Sequence, residues 1–130
     1  MQKIFGLAFG ILFSTISAQA QDAADCTAPV TQSDMNSCSF QDFQKADAEL
    51  NAVWDDAKTN AENIDDTGEQ SKALLTAQRG WLAFRDAQCE LEGLGAAGGS
   101  LQPLLISSCK SRMTRDRTKQ LQDFIEGSNN

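Results

Sequence analysis

From residue 32 onward, apolar residues recur with a helical period in three separate stretches, and no stretch alternates in the manner of a strand. In the first stretch Met35, Cys38, Phe43, Ala46, Leu50, Val53, Trp54 and Ala57 follow one another mostly at steps of three or four. That spacing predicts an amphipathic helix over 32–63. Thr31 followed by Asp34 has the form of a capping box, and Pro29 closes the preceding arm, residues 21–30, off from the helix. The segment "NIDDTGEQ" breaks the pattern, with Asp66 or Thr67 available to cap the next helix and Gln70 three residues after Thr67 as its reciprocal partner.

The second stretch, 69–91, has one apolar row through Leu74, Ala77, Trp81 and Phe84 and an adjacent row through Leu75, Leu82 and Cys89. Together they predict a broad buried stripe. Gly80 inside it costs about 1 kcal/mol of helix propensity relative to alanine, which a close approach between helices would explain. The loop "GLGAAGG" follows. Ser100 is a suitable N-cap for a third helix over 101–126, where Pro103 falls in the first turn and its missing N–H costs no bond. Leu104, Leu105, Cys109, Met113, Leu121, Phe124 and Ile125 carry its apolar side, and "GSNN" is expected to fray.

Three helices with short connections pack most simply up, down and up, so the fold expected is an all-α antiparallel three-helix bundle with an N-terminal arm. This arrangement gathers the start of the first helix with Cys38, the end of the second with Cys89 and the start of the third with Cys109 at one end. Cys26, on the arm, reaches the same end.

Residues 1–20 stand apart from this domain. Lys3, the apolar run "IFGLAFGILFSTI" and "AQA" ending at Ala20 have the form of a cleavable export signal, which leaves a single domain over 21–130 in a periplasmic or secreted compartment. The apolar run is shorter than the roughly 20 residues of a membrane span, and "AAD" before Cys26 is not the context of a lipid-modified cysteine. Four cysteines in an exported chain favour two disulfides. Three pairings are formally open, and locality prefers Cys26 with Cys38 and Cys89 with Cys109. The chain has no histidine, and the cysteine spacings resemble no zinc pattern, so neither metal nor cofactor is expected.

Charge is lopsided. Gln21 to Glu69 holds 12 acidic and 2 basic residues, a balance of −10, whereas Gln70 to Asn130 holds 6 acidic and 8 basic, a balance of +2. Such a field repels nucleic acid and anionic membrane and attracts a cationic partner.

The chemical inventory excludes most catalysis. Without histidine there is no Ser/His or Cys/His nucleophile. The pairs Asp55 with Asp56 and Asp65 with Asp66 lie about 100° apart on a solvated face, unlike the facing carboxyls of a glycosidase. "GLGAAGGS" lacks a phosphate-loop lysine and a preceding strand. Among the arginines, Arg85 sits between Trp81 and Cys89 in the helical rows, where it is suited to ion pairs with Asp86 and with Asp47 or Glu49 that fix helix register; an anion site is the alternative use of such a guanidinium.

"MNSCSFQDFQKADAELNAVW" (35–54), "AQRGWLAFRDAQCE" (77–90), "GGS" (98–100), Cys109 and "MTRDRTKQL" (113–121) together resemble the LprI-like lysozyme inhibitor family of small exported bacterial proteins. The run through Gln78, Arg79, Trp81, Arg85, Asp86 and Cys89 is the most specific part, supported by Cys38, Asp47, Leu50 and Asn51. Trp54 stands where an aromatic, often tyrosine, is usual. The resemblance implies an inhibitor of lysozyme-type muramidases that works by protein–protein binding and is not itself an enzyme. Its expected partner is lysozyme or another cationic cell-wall hydrolase, met by the acidic first helix and by a loop containing Gly95, Gly98, Gly99 and Ser100. The alternative is a periplasmic interaction or immunity-type module that binds another exported protein and has no effect on lysozyme.

Overall fold

The computed structural model describes residues 25–127; residues 1–24, within which the export signal is expected, and Ser128 to Asn130 lie outside them. Three helices make up the fold: α1 (Gln32–Ile64), α2 (Glu69–Gly93) and α3 (Gln102–Gly127), with a short 3₁₀ turn at Leu94–Ala96 between the last two. The first helix starts where its capping box dictates. Thr31 Oγ1 accepts the Asp34 N–H at 3.1 Å, and the Asp34 carboxylate accepts the Thr31 N–H at 3.1 Å, so two otherwise orphaned donors are satisfied.

α1 and α3 run parallel and form the main interface, and α2 runs back between their ends. The register is set by contacts in chain order: Asn36 Nδ2 donates to the Ser100 carbonyl, Asp42 meets Ser111 and Arg115, and Leu50 packs with Leu121. On α1 the buried positions are Ala46, Leu50, Ala57 and Ala61, steps of four and seven that keep one line along the helix. Three are alanines, whose small side chains let α3 come close. Leu50, Ala57 and Leu121 form the fully buried centre, and Val53, Trp54, Leu74, Trp81, Phe124 and Ile125 close around it. Burying Leu50 and Leu121 stabilises the bundle by roughly 1.5 to 3 kcal/mol each.

The stapled end forms as the up, down and up path requires. Cys26 is bonded to Cys38 and Cys89 to Cys109, both with Cα atoms 5.4 Å apart. Among the described residues no helix is long and apolar enough to cross a membrane.

Four local expectations are overturned. α2 does not bury its two apolar rows. Phe84 is 59 % exposed, Leu75 and Ala77 are exposed, and Leu74, Trp81 and Leu82 are only half-buried, while the polar Gln78 and Arg85 are buried with Cys89 and Gly93. The inward line is 78, 85, 89 and 93, which keeps only Cys89 of the two predicted rows, because Cys89 must face Cys109. Gly80 has open space where a side chain would be, so no close approach explains it; the close approach is at Gly93, where a Cβ would lie 2.5 Å from Ile106 Cγ1. The start of α2 is capped mainly by Asp65 rather than Asp66 or Thr67. Its carboxylate accepts the N–H groups of Glu69 at 2.9 Å and Gln70 at 3.1 Å, with Thr67 Oγ1 adding only a 3.3 Å contact to Glu69. Finally, Ser100 lies two residues before α3, and its carbonyl receives Asn36; Gln102 Oε1 instead reaches back to the Gly98 N–H at 3.1 Å.

Candidate protein-binding surface

Arg85 is the centre of the residues that the sequence singles out. It projects from α2 on the same face as Cys89, four residues on, and is 7 % exposed. Its guanidinium carbon lies 5.2 Å from the Phe43 ring centroid and 5.1 Å from that of Trp81, so two aromatic faces hold the cation. Nη1 donates to Asp47 Oδ1 on α1 and to Thr114 Oγ1 on α3, both at 3.3 Å, and Nε donates to Asp86 Oδ1 at 3.0 Å. One side chain therefore ties all three helices.

The surrounding motif residues support this knot. Asn51 Nδ2 donates to Asp47 Oδ2 at 3.3 Å, one helical turn away. Asp86 also faces Lys110 at 3.5 Å. Gln78 Oε1 accepts from Arg117 Nε at 3.0 Å, and Trp81 lies between the Arg85 and Arg117 guanidinium groups. Of the motif, Arg79 and Asn51 are exposed, and Asn51 is held to Asp47. Most of the motif is thus internal bracing, which leaves the contact surface to be sought elsewhere.

A second brace joins α1 to α3 closer to the disulfides. Arg115 forks onto both oxygens of Asp42, and Ser111 Oγ donates to Asp42 Oδ2 at 2.6 Å. The Arg115 and Ser111 bonds hold the Asp42 carboxyl below the usual carboxylate range, and Asp42 in turn raises the Arg115 guanidinium above its ordinary value. The small polar residues Ser107, Ser111 and Thr114 on the inner face of α3 make room for these groups; their spacing with Cys109 is a signal that the apolar pattern does not carry.

At the stapled end the chain between α2 and α3 is tightly folded rather than slack. The Cys89–Cys109 bond draws the two helices together and Gly93, one turn after Cys89, lets Ile106 pass. Gly98 takes φ of 74°, the left-handed conformation that glycine adopts without steric cost. Gly95, Gly98, Gly99 and Ser100 are all exposed there.

These residues continue an apolar strip that the sequence rows did not separate from the core. Phe84, Leu91 and Leu94 follow along the outer side of α2 into the 3₁₀ turn and are 59 %, 61 % and 61 % exposed, with Ala83 and Ala87 beside them and Leu101 exposed after the loop. Large apolar side chains left in water along one continuous line mark a surface suited to a protein partner. No cluster that would hold a metal ion occurs among the described residues.

A family model described as "Lysozyme inhibitor LprI" matches residues 23–121, which include all four cysteines, the Arg85 knot and the glycine loop. An uncharacterized protein of Rhizobium meliloti (strain 1021), R02472, is 39 % identical over 129 residues, spanning 92 % of this chain and 93 % of its own. An uncharacterized protein of Escherichia coli (strain K12), YecT, is 34 % identical over 98 residues, 68 % of this chain and 60 % of its own. No solved structure matches.

Proposed function

Because the chain belongs to the LprI lysozyme inhibitor family, we propose that it is an exported inhibitor of lysozyme-type muramidases that acts by binding the enzyme, without catalysis of its own. The strip Phe84, Leu91 and Leu94, continued by Gly95, Gly98, Gly99, Ser100 and Leu101, is the contact surface, and the loop enters the substrate cleft. The observation that carries the reading is the family match across 23–121, joined to an exposed apolar line that ends on a disulfide-braced loop. Bracing matters energetically, since a loop already held in its bound shape loses less conformational entropy on association.

Charge supports the same partner. The balance of −10 over Gln21 to Glu69 attracts the cationic surface of animal lysozymes and speeds encounter, while the apolar strip supplies short-range contact. The export signal expected over residues 1–20 would deliver the protein to the compartment where it meets such enzymes.

The test is clearing of a cell-wall suspension by lysozyme in the presence of the purified, oxidised protein. Clearing should slow in proportion to added protein, most strongly at low salt, and Leu94→Asp should relieve the inhibition while leaving the fold intact. Unaltered clearing at a large molar excess and low salt would refute inhibition, and specific capture of a different exported protein would then select the interaction-module reading.

A further inference from the structure

At the end of the bundle away from the disulfides, α2 and α3 leave a groove of about 300 Å³ whose lining includes Leu74, Ala77, Leu121 and Phe124, with Arg117 and Gln120 beside them. Arg117 differs from the other arginines bonded between helices. Arg85 meets Asp47 and Asp86, Arg112 meets Glu92 and Arg115 meets Asp42. Arg117 has no carboxylate within 4.0 Å among the described residues. Its Nε donates to Gln78 Oε1 and its Nη1 to Gln120 Oε1, each at 3.0 Å, and its guanidinium carbon lies 5.9 Å from the Trp81 ring centroid.

Two neutral amide oxygens and an aromatic ring orient this guanidinium without neutralising it. A guanidinium has five N–H donors in a planar fork, of which two are used here, so three remain. Partial burial removes water from the group and pulls it below its ordinary value, which is the cost of holding a cation without a counter-charge. A carboxylate suits the remaining donors, and the apolar lining suits a hydrocarbon body attached to it.

We propose that this groove is a binding site for a carboxylate carried on an apolar body, with Arg117 as the anion anchor. Gln78 and Gln120 position the guanidinium, and Leu74, Ala77, Leu121 and Phe124 receive the apolar part. A peptide C-terminus after an apolar residue and a small aromatic acid share this chemistry. The site stands at the far end from the loop, so it is independent of lysozyme inhibition.

The experiment is a titration of the oxidised protein followed by ¹⁵N–¹H spectra, with the Arg117 Nε–Hε resonance as reporter. Probes are N-acetyl-Ala-Phe, its C-terminal amide, and phenylacetate. Saturable binding of the acids with Kd on the order of 1 mM, at least tenfold weaker for the amide, is expected. Tighter binding of the peptide acid than of phenylacetate identifies a peptide C-terminus as the natural class, and equal binding identifies a small acid. Arg117→Gln should abolish binding and the exposed Lys119→Gln should leave it unchanged. Gln120→Glu places a carboxylate beside the guanidinium; it should preserve the fold and weaken the acids at least tenfold by occupying the anchor from within. No saturable shift, equal binding of acid and amide, or full binding by Gln120→Glu would overturn the assignment.

Discussion

Replacing Arg85 with alanine tests whether the family motif is internal bracing. Three losses combine. Thr114 is fully buried and loses the donor that its hydroxyl oxygen receives at 3.3 Å, at a cost of about 1 to 3 kcal/mol. The stacking of the cation between Phe43 and Trp81 contributes about 1 to 2 kcal/mol. The Asp47 and Asp86 side chains are 40 % and 51 % exposed, so water takes over their solvation and each ion pair contributes no more than about 1 kcal/mol. The expected total is about 3 to 5 kcal/mol, most of it from the buried Thr114 hydroxyl and the aromatic stacking. Urea unfolding followed by circular dichroism measures it directly, and in a domain of this size the midpoint temperature should fall by at least about 10 °C. Arg85→Lys should recover less than half of the loss, because an ammonium cannot reach Asp47, Asp86 and Thr114 together or stack flat between two rings. If Arg85→Ala lies within about 1 kcal/mol of the parent, or if lysine replaces arginine without cost, the bracing argument is wrong.

The two helical glycines of α2 should respond in opposite directions. Gly80→Ala enters open space on an exposed helix face and should stabilise the protein by about 0.5 to 1 kcal/mol in the same unfolding assay. Gly93→Ala brings a methyl group to within 2.5 Å of Ile106 and should destabilise it by about 1 to 3 kcal/mol. Asp65 gives a pH signature. Hydrogen bonds from the Thr67 side chain and backbone and from the Gln70 and Glu69 amides lower its carboxyl from 3.8 to about 2. Because the folded chain prefers the ionised form, this stabilisation is complete above about pH 4 and is lost as pH falls toward 2. Thermal melts should show a smaller fall over that window for Asp65→Asn than for the parent, with the residual fall due in part to Asp42, which is lowered by Arg115.

Much of the bundle could be read from spacing because local chemistry and tertiary structure agree there. The Thr31 and Asp34 box fixes the start of α1, and locality selects the cysteine pairs that the helix path then brings together. The inner face of α2 was hidden for a physical reason. Hydrophobicity marks a buried face only where burial is apolar, and here Gln78 and Arg85 are buried because their bonds cross to α3 and α1. Cys89 was the better guide. Once it must face Cys109, residues four and eleven positions earlier and four later share its side, and those are Arg85, Gln78 and Gly93. The same shift turned Phe84 outward and made Gly93, rather than Gly80, the point of close approach. Asp65 was missed as a cap because its carboxylate reaches forward over Thr67 and Gly68, beyond the spacing of the usual box. The isolation of Arg117 from carboxylates depends on which faces α2 and α3 turn to each other, and composition holds no trace of it.

The surface assignment can be tested most directly by hydrogen–deuterium exchange of the oxidised protein with and without a cationic animal lysozyme. Slower exchange confined to amides around Leu91 to Leu101 on adding the enzyme is the expected result, and it should disappear for Leu94→Asp. An unchanged exchange pattern at saturating enzyme, or protection confined to other parts of the bundle, would contradict the claim that the stapled end grips the partner.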